Sequence, residues 1–110
     1  MDGDFMRRRC FCRLAENEIY FCDMIEFANN NSAIIIDVRS PQEYAEWHVE
    51  GAINIPLWNV KSVVNRYVKS YTTFIVLYCS SGIRSRKAQR ILWDLGYNNV
   101  YNVNDGIYGE

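Results

Sequence analysis

The sequence predicts an α/β domain of three layers: a central, mostly parallel sheet of about five strands with helices on both faces. Three observations carry this. The runs Ala33-Ile34-Ile35-Ile36 and Phe74-Ile75-Val76-Leu77-Tyr78 are apolar without alternation, as in strands covered on both sides. The sets Val60, Val63, Val64, Tyr67, Val68 and Ala88, Ile91, Leu92, Leu95 fall at helical spacing. Strand and helix patterns then alternate along the chain, the order that produces parallel pairing through helical crossovers.

At 110 residues the chain has the length of one domain with a single core. Residues 1–18 form an N-terminal segment with no clean period, read as a short edge strand or a partly disordered tail, and 19–110 form the domain. From Phe21, the positions Met24, Ile25, Phe27 and Ala28 make an apolar helical stripe, and Asn29-Asn30-Asn31-Ser32 is expected to break that helix. The first β-branched strand follows, with Asp37 and Arg39 at its carboxyl end as a charge pair bracing the next loop. Ser40-Pro41-Gln42-Glu43 is a capping box with proline at the first helical position, so a short helix starts there. Tyr44 and Trp47 are expected to pack. Gly51 to Pro56 supplies a short strand ended by proline. Asn59 is placed to cap the next helix. After the strand Phe74–Tyr78, a helix from Ser85 to Leu95 ends at Gly96, a left-handed C-cap residue. Asn99 to Val103 is the last strand, and Asp105-Gly106-Ile107 a turn leading toward a helix that is missing or only begun by Glu110.

The chemistry concentrates in Cys79-Ser80-Ser81-Gly82-Ile83-Arg84-Ser85, between a strand end and a helix start. In an open α/β sheet, sites form outside the carboxyl ends of strands, and a helix N-terminus offers unpaired N–H groups and the positive end of its dipole. A thiol there loses its proton more readily than a free cysteine, which makes Cys79 a candidate nucleophile. Gly82 lets the loop curl so that successive N–H groups form an anion nest. Ser81 and Ser85 add hydroxyls, with Ser85 as helix N-cap. Arg84 is the only charge in the loop. Arg86, Lys87 and Arg90 lie near the helix start, where the dipole disfavours cations, and are read as a positive rim or a solvated face.

This loop resembles the active-site loop of the rhodanese (sulfurtransferase) superfamily. The stretch Asp37 to Tyr44, its continuation His48-Val49-Glu50-Gly51-Ala52-Ile53-Asn54-Ile55-Pro56, and Asn102-Val103-Asn104-Asp105-Gly106-Ile107 agree with the same family in order and spacing, from about Ile19 to the last residue. The resemblance implies a rhodanese-like three-layer fold and a sulfurtransferase that carries a sulfane sulfur as a Cys79 persulfide. Sulfur passes from thiosulfate or another persulfide donor to a thiol or cyanide, with Ser80, Ser81, Gly82, Ile83, Arg84 and Ser85 binding the substrate. His48, the only histidine, is a structural signature at its position in the family and not the catalyst. Relatives usually carry glycine before this histidine, where Trp47 stands, and commonly a Gly-Gly pair where Asp105-Gly106 stands. Arg84 either buttresses the loop through carbonyls or meets the anionic end of the donor. With no second cation in the loop, thiosulfate is expected to be a mediocre donor, and a protein or low-molecular-weight persulfide the working one.

Two other classes remain. A non-catalytic rhodanese-like module would bind a partner or sense sulfide. Phosphatase or arsenate reductase activity is the minor reading: protein tyrosine and dual-specificity phosphatases use a loop one residue longer, Cys-x5-Arg, wide enough for tetrahedral phosphate. Four residues separate Cys79 from Arg84 here.

Composition sets limits. A net charge of -1 gives no global attraction to nucleic acid or anionic membrane. Neither a membrane-spanning run nor a signal peptide is readable, so a cytoplasmic protein is expected, as a monomer or weak dimer. The four cysteines, Cys10, Cys12, Cys22 and Cys79, lack the paired C-x-x-C halves of a zinc site; neither metal nor cofactor is expected.

Overall fold

The computed structural model describes residues 16–108. Cys10, Cys12 and the arginine run at 7–9 lie outside the described residues. The elements in order are β1 (Glu18–Ile19), α1 (Phe21–Asn31), β2 (Ile34–Asp37), α2 (Pro41–Glu46), β3 (Ile53–Asn54), a 3₁₀ turn (Leu57–Asn59), α3 (Val60–Tyr67), β4 (Phe74–Tyr78), α4 (Ile83–Leu95) and β5 (Asn99–Val103). The strands form one sheet in the order β1-β5-β4-β2-β3, with every pairing parallel.

Strand β4 sits at the centre and shows why the sheet is covered on both sides. Ile75, Leu77 and Cys79 point to one face, where they join Val60, Val64, Ala88 and Leu92 from α3 and α4. Val76 and Tyr78 point to the other, against Met24 of α1 and Val49 and Ala52 of the α2–β3 connection. Both faces of β4 are therefore buried, which accounts for its unbroken apolar sequence. Register aligns Asp37 with Asn54 on one side and Tyr78 on the other, so the carboxyl ends of three strands finish in one row. That row is the floor from which the loops rise.

Local chemistry sets most boundaries, with four departures from the sequence expectation. The Asn29–Asn31 run continues α1 instead of breaking it: the Asn31 side chain donates to the Phe27 carbonyl at 2.9 Å, and termination falls to Ser32 in the left-handed region. Asn59 does stand at the start of α3, but makes no side-chain cap; the 3₁₀ turn before it delivers the chain instead. Helix α4 starts at Ile83, two residues earlier than expected, with Gly82 at the N-cap. Trp47 does not pack; it is 53% exposed, and its carbonyl serves the structure by accepting from Arg39.

The capping box of α2 forms as read. Ser40 Oγ accepts from the Glu43 N–H at 3.2 Å, and Glu43 Oε1 accepts from the Ser40 N–H at 2.9 Å. Ser40→Ala removes one of these and is expected to cost about 1 kcal/mol in chemical denaturation. Among the described residues no helix is long and apolar enough to cross a membrane.

Candidate active site

Cys79 leaves the end of β4 and is fully buried, as is Ser85, while Ser80 is partly covered. The chain turns at Gly82, whose φ of 94° lies in the left-handed region, and enters α4. A side chain at Gly82 would also collide with the Asn104 carbonyl. Glycine is required there for both reasons.

The turn wraps the loop around the sulfur. Gly82 N–H donates to Cys79 Sγ at 3.1 Å and Ser85 N–H at 3.4 Å; Ser85 Oγ lies 3.5 Å from the same atom. Burial pushes the thiol up, but the Ser85 hydroxyl and N–H, with the N–H groups of Ser81 and Gly82, outweigh it, leaving Cys79 below the ordinary cysteine value. Ser85 is thus not the N-cap expected from the sequence. It lies inside the first turn of α4, which is what aims both its polar groups at the sulfur.

The segment after β5 holds this loop from behind. Ile107 N–H donates to the Cys79 carbonyl at 3.1 Å and Tyr108 N–H to the Ser80 carbonyl at 3.3 Å. A Cβ on Gly106 would run into that same Ser80 carbonyl. Gly106→Ala is therefore expected to displace the loop, costing about 1–3 kcal/mol of stability in urea unfolding and making the otherwise buried Cys79 more accessible to bulky maleimides. Asp105 accepts from the Phe21 N–H at 2.8 Å and caps α1, for which the N-cap residue Tyr20 supplies no side-chain cap.

Arg84 is held by side chains of Glu43 and Ser80. Its Nη1 donates to Glu43 Oε1 at 2.8 Å and its Nη2 to Glu43 Oε2 at 3.1 Å, with Ser80 Oγ 3.3 Å from Nη2. The hydrogen bonds from Arg84, opposed by burial and aided by the Ser40 N–H, hold the Glu43 carboxyl at about 2. Its folded value lies below the ordinary one, so its stabilising contribution is complete above the usual carboxylate range and is lost only as pH falls toward 2. Glu43 was legible in the sequence only as half of a capping box; its second partner lies 41 residues away.

The Asp37–Arg39 brace forms as expected. Arg39 donates to Asp37 through Nε and Nη2, the latter at 2.8 Å, and through Nη2 to the Trp47 carbonyl at 2.6 Å. Asn54 Nδ2 ties the carbonyls of Asp37 and Arg39 together. His48 stacks on Tyr44 with ring centroids 3.7 Å apart, and its Nδ1 lies 2.8 Å from the Tyr44 carbonyl. That is a bracing position. Of the basic residues on α4, Arg86 reaches Glu18 at 3.4 Å, whereas Lys87 and Arg90 are exposed. Cys22 is exposed on α1 and is not bridged to Cys79. Among the described residues no cluster of His, Cys, Asp or Glu has the makings of a metal site.

The model of the rhodanese-like domain matches residues 23–109. The chain belongs to the rhodanese-like domain family. Relatives include the thiosulfate sulfurtransferase PspE of Escherichia coli K12, 43% identical over 68 residues that make up 62% of this chain and 65% of that one. The tRNA uridine(34) hydroxylase of Buchnera aphidicola is 30% identical over 89 residues, 77% of this chain and 28% of the enzyme. The chain thus spans less than two thirds of either relative. Among solved structures, a rhodanese with anions from E. coli superposes with a TM-score of 0.66 at 38% identity, covering 71% of this chain and 91% of that one. The three-layer rhodanese-like fold expected from the sequence is the fold observed, with its sheet wholly parallel.

Proposed function

We propose that this rhodanese-like domain is a sulfurtransferase working by double displacement through Cys79. The observation that carries the reading is the sulfur itself: a thiol lowered by N–H donors at the end of the central strand, enclosed by a loop that stabilises one negative sulfur. The Cys79 thiolate attacks the outer sulfur of a donor, the bond between the donor's two sulfurs breaks, and sulfite leaves when that donor is thiosulfate. The product is Cys79–S–S⁻. Its charge is met by the same N–H groups, as an oxyanion hole meets a developing oxyanion. A thiol or cyanide then takes the outer sulfur, and the Cys79 thiolate is regenerated. Ser80 to Ser85 form the binding loop in this reading. The working donor is a small anionic sulfur compound or a protein persulfide, and the acceptor a thiol.

The loop supports sulfur over phosphate. A phosphatase needs its arginine turned toward the bound oxyanion, and Arg84 is engaged by Glu43. The test is thiocyanate formation from thiosulfate and cyanide, followed alongside the intact mass of the protein after donor treatment. Turnover with a one-sulfur adduct on Cys79 is expected. Absence of any adduct with thiosulfate and with an organic persulfide overturns the enzymatic reading in favour of a binding module.

A further inference from the structure

We propose that Glu43 sets the donor preference of the cysteine loop. By holding Arg84 in a two-point pair it cancels the loop's only cation, which disfavours a dianionic donor and leaves the site to donors of lower charge with an apolar body. This rests on the sulfurtransferase reading above.

The geometry makes Glu43 a fixed counter-ion. One oxygen accepts from both Arg84 Nη1, at 2.8 Å, and the Ser40 N–H, at 2.9 Å, and the other from Arg84 Nη2 at 3.1 Å. The carboxylate is thus anchored to the start of α2 before it meets the arginine. Its ionised form persists throughout the physiological range, because its carboxyl is held at about 2. Among the described residues the other nearby cations are engaged or lie further along α4. Arg39 is buried and paired with Asp37, Arg86 is drawn to Glu18 on the edge strand, and Lys87 and Arg90 follow on later turns of α4.

Large apolar side chains stand exposed at this end of the sheet. Ile83, within the loop, is 59% exposed, and Tyr108, whose N–H is bonded to Ser80, is 63% exposed. Trp58, in the 3₁₀ turn that follows the β3 end, is 68% exposed. A small dianion finds no unneutralised cation among these. A sulfane sulfur attached to an organic body finds apolar surface.

The test compares two donors with the same transferable atom. Thiosulfate, a dianion, gives sulfite on transfer; benzenethiosulfonate, a monoanion with an aromatic ring, gives benzenesulfinate. In each case the Cys79 thiolate takes the outer sulfur, and cyanide removes it. The full chain is expected to show a higher kcat/KM with benzenethiosulfonate. Glu43→Gln keeps an acceptor at the third helical position, so the capping box survives. It frees the Arg84 charge, and is expected to shift the ratio of the two kcat/KM values about fivefold toward thiosulfate, through a lower KM for that donor. Adding Arg84→Gln should remove the shift. A ratio unmoved in Glu43→Gln, or a shift that survives in the double variant, overturns the assignment of Glu43 while leaving the sulfurtransferase reading intact. Failure of both donors to load the unaltered chain overturns that reading, and the Glu43 assignment with it.

Discussion

Cys79→Ser is expected to abolish sulfur transfer, with turnover falling by roughly three orders of magnitude or more. The substitution is close to isosteric, and the N–H donors of Gly82 and Ser85 remain to bond an oxygen, so the fold should persist. What disappears is chemical. A serine hydroxyl is not ionised by three hydrogen bonds, and it cannot hold a second sulfur as a stable anion. Intact mass after donor treatment should show no adduct, and circular dichroism should match the parent. The parent protein supplies a pH arm. Loading requires the thiolate, so its rate should rise with pH, with its midpoint below the value of about 8.5 for a free cysteine, because the loop holds Cys79 lowered. A serine variant that still turns over would remove the thiolate from the mechanism, and a midpoint at or above about 8.5 would mean that the loop does not lower the thiol.

The largest effect on stability should come from Arg39→Met, about 3–5 kcal/mol. Arg39 is 1% exposed and Asp37 wholly buried. Removing the guanidinium leaves a buried carboxylate without its ion pair and the Trp47 carbonyl without its donor at 2.6 Å. It also empties the position over the Tyr78 ring, whose centroid lies 5.7 Å from the guanidinium carbon. Urea unfolding monitored by tryptophan fluorescence measures the loss. The double variant Asp37→Asn with Arg39→Met should recover part of it, since no charge then stays unpaired. A cost under about 1 kcal/mol for the single variant would mean that water reaches the pair, contrary to its burial.

The central strands were legible because their signal is local. Phe74–Tyr78 falls where its apolar run puts it, Asn99–Val103 is the last strand as expected, and Gly96 terminates α4 in the left-handed region, with φ 108°. The candidate nucleophile was legible for the same reason: a strand end, a glycine and a helix start are neighbours in sequence. The fine structure of the site was not. Gly82 caps α4 through backbone shape with no side chain to announce it, so the helix start was read two residues late and Ser85 given the wrong task. Glu43–Arg84 and Asp105–Phe21 join positions 41 and 84 residues apart, and no periodicity encodes a contact of that span. Trp47 misled because a large aromatic usually packs, whereas here the backbone carbonyl of that residue is what the fold uses.

The order of the sheet bears on how the protein is born. The first described strand, β1, pairs with the last, β5, and Asp105 near the end of the chain caps the first helix. On the ribosome Cys79 therefore emerges before the strand and turn that seat its loop, and β1 waits for a partner made later still. Until residues 99–107 have left the exit tunnel, the thiol rides on an unclosed sheet without the clamp that shapes its surroundings. Nascent chains arrested just before this segment should react with bulky maleimides at Cys79, and those arrested well beyond it should be protected.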